Sequence, residues 1–277
     1  MSTNQSDLFA RKLERFTRLS PEDKGALDDL ARERVRRFAA REYLAREGDK
    51  PERINLILSG WACRHKILED GRRQIVAFLL PGDLCDLNVF ILRAMDHSIT
   101  AITPVAAAGI SRETMERVMD QHPRVSQALQ WDQLVTAAIQ REWTVNNGQR
   151  SAFERVAHLL CELFLRLRAV GLVQGTSCEI LPTQADLAEA TGLTPVHVNR
   201  TLQELRRQGL ITLEGRRLLI PDLAALQDAG LFNPNYLHFD RGGGDSTRTR
   251  ATGRHGPGDA GLIKETVSPK AMPGGGT

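Results

Sequence analysis

The sequence predicts an α+β chain in three parts, and three observations carry that reading. Residues 35–105 hold short apolar runs separated by turn residues, residues 123–145 keep a long helical period, and residues 183–220 read as two short capped helices followed by a hairpin. A length of 277 residues suffices for one large domain or two of common size. With 41% hydrophobic and 26% charged residues the body has ordinary globular composition, which excludes a fibrous, collagen-like or wholly disordered chain. No apolar stretch approaches the roughly 18–20 residues of a membrane span, and the polar start MSTNQSDLFARKL lacks the apolar core of a secretory signal. A cytoplasmic protein without membrane contact is therefore expected.

The first part opens on a helix. Ser20-Pro21-Glu22-Asp23 supplies an N-cap, a proline for the first helical position and early acids, so a helix should run to about Arg32. The period then changes to short strands, the clearest being Asn55-Leu56-Ile57-Leu58 and Gln74-Ile75-Val76-Ala77-Phe78-Leu79. Asp70-Gly71, between Cys63-Arg64-His65-Lys66-Ile67 and the second of these, suits the positive dihedrals of a tight hairpin. Strands at this spacing imply a small antiparallel barrel or roll.

Helix returns after Ser111, and the segment from residue 123 to about 145 is long and amphipathic. Ala128, Trp131, Val135 and Ala138 follow a 3, 4, 3 spacing, the period of a seam between two helices. A second copy of the helix is the natural mate; packing on the chain's own roll is the alternative. Asn146-Asn147-Gly148 interrupts the helical pattern and reads as a hinge. A core helix follows, with Phe153, Val156, Leu160, Leu163, Phe164 and Leu167 on one apolar face and an end near Gly171. His158 and Cys161 stand three apart on it, but two ligands without a third make no metal site, and packing is the preferred role. Cys63, Cys85, Cys161 and Cys178 lie far apart without a CxxC pair, so four reduced thiols are expected and no metal or disulfide framework.

The most specific signal lies in the last part. Thr183 caps a helix from Gln184 to about Thr191, Gly192 supplies the turn, and Thr194-Pro195 starts a second helix that Gly209 ends. Counted from Gln184, a small residue falls fifth (Ala188), glycine ninth (Gly192) and a β-branched residue fifteenth (Val198), the spacing at which two helices joined by a tight turn pack closely. Ile211-Thr212-Leu213, Glu214-Gly215 and Arg216-Arg217-Leu218-Leu219-Ile220 add a hairpin, so a winged helix-turn-helix is implied. Double-stranded DNA is the partner this motif takes.

Within it, the second helix offers Pro195, Val196, Asn199 and Arg200 to base edges. A guanidinium bonds guanine O6 and N7 together, which makes Arg200 the leading base reader, and Asn199 suits adenine. The competing role for Arg200 is an exposed ion pair with Glu204 at i+4. Thr183, Gln184, Thr194 and His197 beside the two helix N-termini, with Arg216 and Arg217 in the wing, suit phosphate oxygens. Net charge is no guide: residues 183–222 hold five basic and five acidic side chains.

A roll, a long interface helix and a winged helix-turn-helix, in this order, resemble the Crp/Fnr family of bacterial transcription regulators over roughly residues 10–240. Carrying the resemblance are Thr183-Gln184-Ala185-Asp186-Leu187-Ala188 and Gly192-Leu193-Thr194-Pro195-Val196-His197-Val198-Asn199-Arg200-Thr201-Leu202, with Phe153-Glu154-Arg155-Val156-Ala157 upstream. The roll matches more weakly through Ile54-Asn55-Leu56-Ile57-Leu58-Ser59-Gly60, Asp70-Gly71-Arg72 and Pro81-Gly82-Asp83. The resemblance implies a cyclic-nucleotide-binding-like jelly roll that senses a signal, helices that form a homodimer, RNA polymerase as a partner if the protein activates, and Arg200 at the family's base-contacting arginine. Val196 stands where many relatives carry a base-contacting glutamate, and Pro195 where some carry arginine.

Effector-pocket candidates by the same resemblance are Gly82, Asp83, Cys85, Asp86, His97 and Ser98. His97 replaces the arginine that holds the cyclic phosphate, which argues against cyclic AMP, since a mostly neutral imidazole is a poor substitute for a permanent bidentate cation. Relatives that hold an iron-sulfur cluster crowd cysteines near the N-terminus, whereas the first here is Cys63. Haem through Cys63, His65, Cys85 or His97 ranks below ordinary structural roles for those side chains. No cofactor is predicted and the effector is unknown; control by abundance or cysteine oxidation is the alternative.

The expected organisation is a sensor roll over 1–120, an interface helix and hinge over 121–147, a DNA-binding domain over 148–240, and a Gly-, Thr-, Arg- and Pro-rich disordered tail over 241–277. An enzyme is the different-class alternative, but no Gly-rich phosphate loop, HExxH or nucleophile elbow is present. A nucleotide-binding module of a larger complex would leave the winged motif without a role.

Overall fold

The computed structural model describes residues 5–87 and 89–239; the tail expected from residue 241 lies outside the described residues. Two helices lead in, α1 (Gln5–Glu14) and α2 (Pro21–Arg32). Ser20 and Asp23 cap α2 reciprocally, the hydroxyl accepting from Asp23 N at 3.1 Å and the carboxylate from Ser20 N at 2.8 Å.

Eight strands follow: β1 (Val35–Phe38), β2 (Tyr43–Ala45), β3 (Ile54–Ser59), β4 (Ala62–Ile67), β5 (Arg73–Leu79), β6 (Leu84–Cys85), β7 (Ser98–Ala101) and β8 (Val105–Ile110). They pair antiparallel in two sheets, ordered β1-β8-β3-β6 and β2-β7-β4-β5. Ile54, Leu56, Ile57, Ile75, Phe78 and Ile99 are buried between them in one core, as alternating or continuous apolar strands require. The β4–β5 hairpin turns at Gly71, whose φ is +85°. At Gly60 only glycine fits: φ is +76°, and a Cβ there would stand 2.1 Å from the Pro104 carbonyl oxygen.

Three helices continue the chain: α3 (Arg112–Gln121), capped by Ser111, α4 (Pro123–Gln149) and α5 (Ala152–Ala169). The expected hinge at Asn146-Asn147-Gly148 is instead the last turn of α4, which breaks at Arg150 and Ser151. Tertiary bonds override the weak helix propensity there, since Asn146 Nδ2 donates to Arg155 O at 3.2 Å and Asn147 Nδ2 to Ala190 O at 3.2 Å.

The C-terminal part comprises β9 (Val173–Gln174), β10 (Ser177–Glu179), α6 (Gln184–Thr191), α7 (Pro195–Arg207), β11 (Thr212–Glu214), β12 (Arg217–Leu219), α8 (Leu223–Ala229) and a 3-10 turn (Pro234–Leu237). The wing hairpin joins a four-stranded sheet in the order β11-β12-β10-β9. Beyond α8 the chain turns back onto α5, where Phe232 and Tyr236 enclose His158 with ring centroids 4.8 and 5.9 Å away. His158 is thereby a packed core residue.

A buried chain of charges ties these parts together. Lys12 of α1 lies 2.9 Å from Asp83 in the β5–β6 turn and 2.7 Å from Asp132 of α4, while Arg166 of α5 bridges Asp83 at 2.8 Å and Glu162 at 3.2 Å. Glu162 also accepts from Trp143 Nε1 at 3.1 Å and from the Tyr236 hydroxyl at 3.0 Å. Burial works against the Lys12 charge, but the carboxylates of Asp132 and Asp83 outweigh it and raise the ammonium above its ordinary value.

Candidate nucleic-acid interface

Helices α6 and α7 form the expected motif, and local chemistry fixes its geometry. The Thr183 hydroxyl accepts from Asp186 N at 3.2 Å and the Asp186 carboxylate from Thr183 N at 2.8 Å, which starts α6. Gly192 ends it at φ +64°, and Leu193 N closes back on Ala188 O at 3.1 Å. Thr194 then caps α7, accepting from His197 N at 3.2 Å, with Pro195 in the first turn. Leu187, Ala188, Val198, Leu202 and Leu205 are buried, so the opposite face of α7 looks outward.

That face carries the residues the sequence singled out. Pro195, Val196, His197 and Arg200 are exposed, Asn199 is half-buried, and Thr183, Gln184 and Thr194 are exposed at the two helix starts. Gln184 and Asn199 meet: Asn199 Nδ2 donates to Gln184 Oε1 at 3.0 Å, linking the start of α6 to the first turns of α7. The competing partner of Arg200 is occupied. Glu204 instead pairs with Arg207 at 2.6 Å and accepts from Gln208 at 2.7 Å, and these hydrogen bonds hold its carboxyl down at about 2. Among the described residues no ion pair or side-chain hydrogen bond engages the Arg200 guanidinium.

The wing lies beside α7 and is tied to it, since Arg206 donates to Leu213 O at 3.1 Å. Arg216 and Arg217 are exposed on its hairpin, with Arg217 Nε donating to Ser177 Oγ at 2.8 Å.

Comparison with known proteins agrees with this architecture. The family model for a Crp-like helix-turn-helix domain matches residues 154–229, and that for a cyclic nucleotide-binding domain matches residues 35–122. The chain is 32% identical over 204 residues to the transcriptional activator protein FnrL of Cereibacter sphaeroides, covering 70% of this chain and 80% of that protein. The chain belongs to the Crp/Fnr family of bacterial transcription regulators. Nitrogen fixation regulation protein FixK of Bradyrhizobium diazoefficiens is 31% identical over 177 residues, covering 64% of this chain and 73% of FixK. The solved structure of FixK2 from Bradyrhizobium japonicum shares the fold with a TM-score of 0.63 at 24% identity, over 70% of this chain and 96% of that one. This Crp/Fnr regulator is thus a DNA-binding protein that controls transcription. No helix among the described residues is long and apolar enough to cross a membrane.

In the roll of this Crp/Fnr regulator the six effector-pocket candidates do not gather in one pocket. Asp86, at φ +55°, accepts from Arg64 at 2.7 Å and lies 3.0 Å from His97 Nε2, while His97 Nδ1 lies 2.6 Å from Asp96. Burial pushes the Asp86 carboxyl up, but the hydrogen bond to His97 and the Arg64 charge outweigh it and keep the group below the usual carboxylate range. Ser98 Oγ accepts from Glu47 N at 3.0 Å, Cys85 is buried, and Gly82-Asp83 face α1 and the ionic chain. The sequence alone gave no sign of Arg64, the cation beside His97.

The donors present do not fit an iron-sulfur cluster or a haem. The four cysteines are free and buried on β4, β6, α5 and β10, and burial pushes the Cys63 thiol up to about 11 and that of Cys178 to about 12. His65 Nε2 is held 2.7 Å from Thr100 Oγ1, and no three His, Cys, Asp or Glu side chains among the described residues group as metal ligands.

The residues of the expected α4 seam pack inside this chain, the alternative that the sequence left open. Ala128, Val135 and Ala138 are buried within this chain, and Trp131 is half-buried edge-on against Phe16 at 6.2 Å. The outward face of α4 carries Gln127, Gln130, Leu134, Ala137, Arg141 and Thr144, again at alternating spacings of three and four, with Leu134 64% exposed.

Proposed function

We propose that this regulator acts as a homodimer paired along the outward stripe of α4, placing two α7 helices in successive major grooves of a palindromic site. The observation that supports this most is the exposed, unengaged Arg200 on α7, its neighbouring carboxylate already held by Arg207. Arg200 reads guanine, Asn199, Val196 and Pro195 contact the neighbouring bases, and Val196 meets a thymine methyl. Thr183, Gln184, Thr194, His197, Arg216 and Arg217 bond phosphates and set the register without specifying sequence. The protein is cytoplasmic, and contact with RNA polymerase follows where it activates transcription; FnrL of Cereibacter sphaeroides is a transcriptional activator.

The roll supplies the signal by a route other than cyclic AMP. Supporting this, His97 occupies the place the resemblance gives to the phosphate arginine, and the nearby Arg64 charge is already matched by Asp86 at 2.7 Å. Buried thiols with raised pKa values are poor thiolates, which favours a bound effector or control by abundance over cysteine oxidation. Selection of sites from random duplex DNA by the full chain tests the assignment. The expected result is a palindrome with half-site centres about one helical turn (~34 Å) apart; enrichment of no symmetric site, with and without cell extract, would remove it.

A further inference from the structure

Donors from three other elements hold the last turn of α6. Its carbonyls at Glu189, Ala190 and Thr191 lack helical partners because the helix ends at Gly192. Gln74 Nε2, from β5 of the roll, donates to Glu189 O at 2.5 Å and reaches Ala190 O at 3.4 Å. Asn147 Nδ2 at the end of α4 donates to Ala190 O at 3.2 Å, and Arg155 Nη1 of α5 donates to Thr191 O at 2.7 Å.

Beside these bonds, Arg73 of β5 pairs with the Glu189 carboxylate at 2.6 Å, while its second amino group donates to the buried Cys63 Sγ at 3.0 Å. The pair is shielded, with Arg73 16% and Glu189 31% exposed, so water screens it less than a surface pair. Strand β5 also forms the β4–β5 hairpin, so one strand bears both that turn of the roll and the contacts to the end of α6. Any shift in the seat of α6 reaches α7 through the short Gly192 turn and the Gln184–Asn199 bond.

We propose that Arg73 and Gln74 are positioning residues through which the roll grips the first helix of the DNA-binding motif, so that movement of β5 resets α7. This rests on the DNA-reading role of α7. Holding α7 in place before DNA arrives removes an ordering cost that binding would otherwise meet.

The test uses the full chain as Arg73→Glu, as Glu189→Arg and as the charge-swapped double variant. Each is followed by amide hydrogen exchange without DNA and by titration with the site that the wild-type chain selects. Each single variant is expected to speed exchange in α6 and to weaken site binding by about fivefold or more, with the base preference of the wild type retained; the swap restores both. Single variants within about twofold of wild type in both readouts, tighter DNA binding on breaking the pair, or a swap no better than the singles would each overturn the proposal. Should a charge reversal prevent folding, Gln74→Ala takes its place with the same two readouts. If the wild-type chain selects no site, the DNA-reading role fails, while exchange in α6 still decides whether the roll grips it.

Discussion

Two buried imidazoles set how the fold answers acid. Burial first, then the Arg73 charge, push His65 down to about 4, and burial with the Arg150 charge pushes His158 down to about 3. An unfolded histidine titrates near 6.5, so between that value and the folded ones the unfolded chain binds more protons, and stability falls as pH falls. The urea midpoint should therefore drop between pH 7 and pH 5, by about 1–2 kcal/mol for each ring. His158→Phe, which keeps a ring between Phe232 and Tyr236, should flatten its share of that slope. A midpoint that stays level or rises over this range contradicts the assignment. At the same scale, Arg200 was legible because Thr194 and Pro195 fix where α7 begins and hence which positions face outward. The partner of Glu204 was not legible, because Arg200 at i−4 and Arg207 at i+3 both lie within helical reach and only side-chain geometry chooses between them.

Among the elements, α4 shows how one helical period fits two faces. Its inward and outward stripes both repeat at three and four residues, and the inward one holds the more apolar side chains, so hydrophobicity pointed to Ala128, Val135 and Ala138. The outward stripe is mixed, with glutamine, arginine and threonine around Leu134, and becomes visible only once the core is known. The two faces make opposite predictions. Leu134→Glu should yield a folded monomer by sedimentation with a little-changed melting midpoint, whereas Val135→Glu should cost several kcal/mol, roughly 2–5 as for other core disruptions. A Leu134→Glu variant that remains dimeric would move the interface elsewhere. Elements as short as β9 and β10 escaped the sequence for a simpler reason: two or three residues cannot display alternation. The supposed hinge at residues 146–148 was misplaced because its two asparagines are anchored by side-chain bonds to Arg155 and Ala190, partners distant in sequence or on another helix.

Taken whole, the molecule is joined by the buried sequence of charges from Asp132 through Lys12, Asp83 and Arg166 to Glu162. None of its ion pairs except the one between Glu162 and Arg166 lies at a local spacing, which is why composition and period were silent about it. Lys12→Met would leave Asp83 and Asp132 without their shared cation and should cost about 3–5 kcal/mol in the denaturation midpoint, while a loss below about 1 kcal/mol would show that Arg166 alone suffices. Global charge was equally uninformative about DNA. The formal excess of +3 is matched by residues 241–277, with six basic and three acidic side chains, so the remainder is formally neutral and recognition depends on where α7 and the wing place their few arginines. The central claim is that α7 reads sequence through Arg200, and site selection by the full Arg200→Ala chain beside the wild type tests it most directly. The account predicts relaxed preference at one symmetry-related pair of positions, worth about 1–3 kcal/mol, with the rest of the palindrome retained. An unchanged preference at every position, or a uniform loss of affinity across all sequences, would contradict it.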